Sequence, residues 1–380
     1  MNICDKSLCT GCSVCADICP KQCIEIKYDS DGFLHSFANE SNCINCNRCI
    51  FVCPVNNPNN NNNISKVYKI RRKDYENALT STSGGIAALV SEIIVKNCGK
   101  VVGCEFDKNL IPKHSVACDS LKLEKFKGSK YVQSRTRGIY CEIEKLLDDG
   151  DTVLFTGTPC QVSALNNYLK KPYDNLYTID LVCHGVSSQN VLNKYIEYIE
   201  KEINEKIVNV KFRSKEDGYK NCSQNSCIFV HEKGTYHVPY NEGMVLWFAS
   251  GLSLRNSCYK CNFVSTKRCS DVTLSDYNGQ DLSEDDKKYG VSFLFVNTQK
   301  GAELVEMIKD VSVMEEKDLE QSTKSCLRLH HKSDIPAARK KFFEDINKLS
   351  IDKLIKKYTK RKILPSKISL YINAIKRKIR

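Results

Sequence analysis

The chain has 380 residues, 41% hydrophobic and 27% charged, enough for two or three globular domains. It holds no run of eighteen apolar residues, which excludes an ordinary membrane-spanning helix. The amino terminus shows no basic segment followed by an apolar one, so a cytoplasmic protein is expected. The net charge of +12 comes mostly from residues 351–380, with eleven basic residues and the single acid Asp352. No nucleic-acid recognition motif accompanies that charge, so nucleic acid is not an expected partner. Twenty-two cysteines in a reducing compartment point to metal rather than disulfides.

Residues 1–55 contain the spacing Cys9-x2-Cys12-x2-Cys15-x3-Cys19-Pro20, repeated as Cys43-x2-Cys46-x2-Cys49-x3-Cys53-Pro54. This is the run used by two-cluster bacterial ferredoxins. Three thiolates from one tight loop wrap a cube face, and the fourth ligates the other cluster. One [4Fe–4S] cluster is therefore assigned to Cys9, Cys12, Cys15 and Cys53, the other to Cys43, Cys46, Cys49 and Cys19. Zinc sites instead use two cysteine pairs, usually across a long loop. Cys4 and Cys23 fall outside the repeat and read as plain thiols. Two clusters in one small domain make an electron wire.

Residues 56–65 are Asn-rich and read as a polar linker. Residues 66–345 alternate strand and helix patterns. Ser81-Thr82-Ser83-Gly84-Gly85 opens a helix from Ile86 to Asn97. Strands are expected at Val101–Cys104 and Val153–Phe155. The latter runs into Thr156-Gly157-Thr158-Pro159-Cys160 and a helix through Leu169. A strand over Leu176–Val182 ends in Cys183-His184-Gly185; a helix over 188–205 and a strand over Ile207–Phe212 follow. Such units imply parallel strands with ligands beyond their carboxyl ends. The fold class expected is α+β: a small ferredoxin-like two-cluster domain, then a larger α/β domain. Gly- and Ser-rich loops before two helices suit an anion or plain capping. A flavin, which accepts one or two electrons, would join the wire to organic chemistry.

Cys258-x2-Cys261, with Cys160 and Cys183 at strand ends, leaves several readings open. They are a third cluster, a redox dithiol at Cys258 and Cys261, a zinc site, or buried packing.

The large domain resembles the beta subunit of coenzyme F420 hydrogenase/dehydrogenase over roughly residues 66–345. The resemblance is carried by 81–85, Gly128-Ser129-Lys130-Tyr131-Val132-Gln133-Ser134, Gly157-Thr158-Pro159-Cys160-Gln161, Cys183-His184-Gly185-Val186, and Phe212-Arg213-Ser214-Lys215. Its most specific block runs from Cys258 to Gly279, with Arg268, Ser270, Asp271, Leu274 and Asp276. The resemblance implies a flavin-binding α/β domain with FAD near Ser83, Gly84, Gly85, Lys130, Tyr131, Gln133, Gly157 and Thr158. It favours a third cluster on Cys160, Cys183, Cys258 and Cys261. It further implies an iron–sulfur flavoprotein oxidoreductase taking electrons from a ferredoxin or other redox protein to a small molecule. Relatives with a fused ferredoxin segment often accompany surface-polysaccharide genes. The alternative is an electron-transfer subunit serving a partner protein, with no substrate site of its own. His184 and Asp271 are candidate proton donors, each with a plain loop hydrogen bond as the competing reading. Trp247 reads as core. The basic tail, 346–380, alternates Ile/Leu with Lys/Arg, a pattern suited to peripheral membrane contact or to a solvated tail.

Overall fold

The computed structural model describes residues 3–215, 219, 227–239 and 241–359. The third cysteine of each amino-terminal run lies in a one-turn helix, Val14–Asp17 and Arg48–Phe51. Both loops turn through left-handed backbone at matching positions, Gly11 and Ser13 in the first, Asn45 and Asn47 in the second. Gly and Asn tolerate that geometry, which curls each loop around a point. Strands β1 (Ile24–Tyr28) and β2 (Leu34–Ala38) form an antiparallel hairpin beside them. Ile3, Ala16 and Ile24 share a small core there with Cys15, Cys23, Cys49 and Cys53.

The Asn-rich stretch is not a free linker. Asn59 N donates to Ser163 Oγ (3.0 Å), and β3 (Asn62–Asn63) pairs with β12 (Lys267–Arg268). Each asparagine carries a side-chain amide as well as a backbone one, and the stretch uses both kinds to lie on the large domain.

That domain is built on an eight-stranded sheet among the described residues. Its strands are β4 (Lys66–Arg72), β5 (Lys100–Phe106), β6 (Pro112–Ala117), β7 (Val153–Thr156), β8 (Leu176–Leu181), β13 (Val272–Asp276), β14 (Ser292–Val296) and β15 (Ser312–Glu316). Their order is β15-β4-β14-β13-β8-β7-β5-β6. Only β5, β7, β8 and β13 run parallel to their neighbours in that series. The flanking strands are antiparallel, so the sheet is mixed rather than all-parallel. Val101 and Leu154 face helices Ile86–Lys96 and Gln299–Ile308. Val102, Val153 and Phe155 face helices Ile139–Asp148 and Pro159–Leu169, as strand alternation requires. At the β8 end, the fully buried Arg268 and Asp180 pair at 2.9 Å. Thr273 and Leu181 complete their hydrogen bonds.

The strand expected at 207–212 is present as β9 (Ile207–Lys211). It joins β10 (Cys227–His231) and β11 (Gly234–Val238) in a separate antiparallel sheet instead of extending the main one. Helix Gln189–Ile203 and Trp247 pack on it. The basic tail also starts later than its composition suggests. Helix Ile351–Tyr358 buries Ile351, Leu354 and Tyr358 in this same core, so its apolar face is taken by protein rather than a membrane. Residues 360–380 of the expected tail lie outside the described residues. No described helix is long and apolar enough to cross a membrane.

Candidate functional site

The first loop brings Cys9, Cys12 and Cys15 into each other's field, with Cys53 arriving from the second run. Burial and the charges of Cys9, Cys53 and Cys49 push the Cys15 thiol up to about 12. Burial, then Cys15 and Cys53, raise Cys12 well above its ordinary value. Burial, with Cys19 and Cys46, raises Cys49. Cys19, Cys43, Cys46 and Cys49 line one small hollow. Cys53 of the second run thus stands among the thiols of the first, and Cys19 of the first among those of the second. Among the described residues, no three His, Cys, Asp or Glu side chains converge as ligands of a single ion.

Several groups fit an iron–sulfur cluster at the first set. Ionised thiols crowded in a buried space raise one another's pKa, and coordination to iron removes that penalty. Ser13 Oγ is buried with no hydrogen-bond partner, and the Thr10 hydroxyl stands beside the Cys12 thiol. Thr10 and Ser13 lie inside the first loop, and Tyr140 shares a buried core with Cys12. Buried hydroxyls without acceptors are costly, and cluster sulfides or thiolates would supply acceptors. Cys4 and Cys23, read from spacing as bystanders, stand beside the sets. Cys4 stands against Cys9 and Cys53, and Cys23 Sγ is 3.5 Å from Cys19 Sγ.

The first set is docked on the large domain through Arg255, which is 2% exposed. Its guanidinium donates to Cys9 O (2.6 Å), Leu34 O (2.7 Å) and Gln133 Oε1 (2.8 Å). Gln133 Nε2 donates to Thr10 O (2.7 Å) and Thr136 Oγ1 to Cys12 O (2.6 Å). Asp17 accepts from Gly138 N at the start of helix Ile139–Asp148. One turn beyond Arg255, Cys258 N bonds Arg255 O (3.0 Å), so a single short segment carries both the seam and a cysteine of the second site.

That second site gathers Cys160 from the start of helix Pro159–Leu169, Cys183 from the end of β8, and Cys258 and Cys261. Burial pushes Cys160 up to about 12, with added charge from Cys261 and Cys258. It pushes Cys258 up to about 11. Cys183 is raised well above its ordinary value by burial and then by Cys258, Cys160 and Cys261. Cys160 and Cys261 pack against the core that contains Cys12, Val14 and Val52. All four thiols line a cavity of about 470 Å³.

The same cavity is lined by Ser83, Gly85, Lys130, Tyr131, Gln133, Gly157, Thr158 and His184. Gly84 is not on its wall. It lies against β4, where an added Cβ would collide with Ile70 O. Three of the lining residues are already committed elsewhere. Lys130 Nζ donates to the carbonyls of Lys125, Phe126 and Lys127 (3.0–3.1 Å), and Gln133 belongs to the seam. Thr158 closes its own helix end in a capping box with Gln161. The open end is that of helix Ile86–Lys96, which has no side-chain cap. Its first-turn residues Ile86, Ala87 and Ala88 line the cavity, and first-turn amides lack intrahelical acceptors. Tyr131 stacks on Phe248 at 4.4 Å between ring centroids.

The two proton-donor candidates separate. Asp271 is buried away from the cavity, accepting from Thr178 N, Thr178 Oγ1 and Thr298 Oγ1 (2.6–2.8 Å). It fixes the turn into β13 and is not a site residue. His184 is on the wall, with Nε2 3.1 Å from Phe248 O. Burial lowers it to about 4, with Arg328 adding to the effect, so it is a neutral group at pH 7 and no source of an acidic proton.

Sequence reading also missed His114. Its Nε2 is 3.0 Å from Thr156 O; a carbonyl only accepts, so the proton is on Nε2. Nδ1 is buried without a partner in a ring that lines the cavity. Burial pushes His114 down to about 4 against 6.5 when unfolded. Between those values the unfolded chain binds a proton that the folded one refuses, so stability is full above pH 6.5 and falls toward pH 4. Urea unfolding at pH 7 and pH 5 should show a loss from this residue of about 2 kcal/mol. His114→Phe should flatten the pH dependence by that amount; an unchanged pH dependence in the variant would contradict the assignment.

Residues 8–57 match the family model of the 4Fe–4S dicluster domain. Set beside the thiol geometry, this defines an iron–sulfur electron-transfer protein. Residues 150–322 match the model for the C terminus of the coenzyme F420 hydrogenase/dehydrogenase beta subunit. The chain thus joins an amino-terminal two-cluster domain to a segment, residues 150–322, of the coenzyme F420 hydrogenase/dehydrogenase beta-subunit type. No curated protein matches it. Among solved structures, a chain of the F420-reducing [NiFe] hydrogenase complex from Methanosarcina barkeri is similar at 18% identity. That match covers 78% of this chain and 92% of the other, with a TM-score of 0.47.

Proposed function

We propose that the protein is a cytoplasmic iron–sulfur flavoprotein oxidoreductase. In this reading, electrons from a ferredoxin-type donor pass through the amino-terminal clusters and a third cluster on Cys160, Cys183, Cys258 and Cys261 to FAD and a small-molecule acceptor. The observation that carries it is the shared core of Cys12 with Cys160 and Cys261, which joins the first thiol set to the cavity through buried protein. FAD supplies the switch between one- and two-electron chemistry.

Several features of the cavity support FAD in this reading. The first turn of helix Ile86–Lys96 offers its amides and a helix dipole to a diphosphate. The wall's cations, among them Lys127, Lys260 and Arg328, outnumber its carboxylates, Glu92 and Asp276. The Tyr131–Phe248 pair presents a flat apolar face. Arg213 is tied to Asp276 (2.9 Å), which also accepts from Ser83 Oγ, and this fixes the lip of the turn. A surface-polysaccharide precursor is one acceptor class in keeping with the family resemblance. The test is anaerobic stopped-flow mixing with a reduced ferredoxin. Iron–sulfur absorbance should bleach first and a bound flavin afterwards. Protein isolated without flavin, or a flavin that stays oxidised once the clusters are reduced, would contradict the reading.

A further inference from the structure

The two amino-terminal thiol sets differ in what covers them. The Cys9, Cys12, Cys15, Cys53 set is walled by the large domain through Arg255, Thr136 and the core around Tyr140. The other set is not. Cys46 is exposed, and the hollow it shares with Cys19, Cys43 and Cys49 is lined only by residues of the amino-terminal domain. We propose that this outer face is the molecule's electron port, and that it receives a small acidic electron-carrier protein. The inference rests on the reading that the thiol sets hold clusters, and adds to it which cluster is loaded first and by what kind of partner.

Two observations select the occupant. Ile44, between Cys43 and Cys46, is 57% exposed, and Phe51, two residues beyond Cys49, is 69% exposed. Large apolar side chains placed on ligand-bearing loops provide a contact centre at the point of least protein cover, where electron transfer is fastest. The charged residues lining the hollow are Lys21 and Arg48, both cations, with no carboxylate among them. Of the neighbouring acids, Glu25 on β1 is paired with Lys27, and Glu40 stands on the turn before Cys43 with a partner of its own. An apolar centre with a charged rim is the usual anatomy of a protein interface. Redox encounters lie at its small, transient end, where complementary charge sets the on-rate. One electron passes from the reduced carrier, which is oxidised by one, to the outer site, which is reduced by one; no bond or proton moves.

The test is calorimetric titration of the full-length, cluster-loaded protein with a small acidic [2Fe–2S] ferredoxin, and with a basic cytochrome c as the opposite-charge probe. The ferredoxin should bind at low salt and weaken strongly on raising ionic strength. Lys21→Glu with Arg48→Glu should weaken it by roughly tenfold or more. Ile44→Ser, an independent variant that adds no charge, should weaken it without changing the salt dependence. Unaltered binding in both variants, no ferredoxin binding at low salt, or tighter binding of cytochrome c would each overturn the proposal. Iron content and the reduced EPR spectrum of the same samples separate the two failures. Missing cubanes sink the functional reading, whereas intact cubanes with unaltered binding sink only the port.

Discussion

Arg255→Ala is expected to destabilise the protein by about 3 kcal/mol or more and to cut electron flow from the amino-terminal clusters to the cavity. The guanidinium has no carboxylate partner. It is held by Cys9 O, Leu34 O and Gln133 Oε1, and its removal leaves those acceptors buried and unpaired at about 1–3 kcal/mol each. Lysine is no remedy, because one ammonium cannot reach acceptors spread around a planar fork. The seam has no slack on its other side. Gly11 sits at φ +67, and a Cβ there would collide with Gln133 Nε2 and stand 2.7 Å from Leu34 O. Gly11→Ala should therefore loosen the same contact by a steric route. Both variants should keep the spectrum of the outer cluster, while reduction of the proposed flavin slows sharply. If chemical denaturation showed wild-type stability in Arg255→Ala, the docking account would be wrong.

Cys183→Ser and Cys258→Ser should each lower iron from about twelve to about eight atoms per chain, leaving the amino-terminal signals in place. The reason is the crowding at this site. Burial together with the other three thiols holds Cys183 far above an ordinary thiol, so these groups remain protonated and inert unless a metal centre takes them as thiolates. A hydroxyl in place of one thiolate removes a quarter of the ligands. An iron content that is the same in wild type and variants would mean that these cysteines only pack.

The cysteine runs were legible in the sequence because their ligand spacing is local: the residues that curl each loop are contiguous, and Gly11, Ser13, Asn45 and Asn47 sit where left-handed turns occur. The helices at 86–96 and 159–169 and the strands at 153–156 and 176–181 were legible for the same reason. The mixed sheet was not, since β4, near the start of the large domain, pairs antiparallel with β14 and β15 from its far end. Arg255 and Gln133 were opaque as seam residues for the same cause: their acceptors in the first loop lie 246 and 123 residues away. For Asp271 the sequence left a proton donor and a plain loop hydrogen bond both open; only the fold shows Thr178 and Thr298 occupying its carboxylate. Helix Ile351–Tyr358 read as surface from its lysines, yet every third or fourth position is apolar, and that stripe is what the core takes up.

The most direct measurement is EPR-monitored titration of anaerobically purified protein with dithionite, with iron counted on the same sample. The account predicts cubane signals from two neighbouring clusters in the amino-terminal domain, altered in Cys12→Ser and Cys46→Ser. A colourless protein carrying zinc in place of iron, silent throughout the titration, would contradict it.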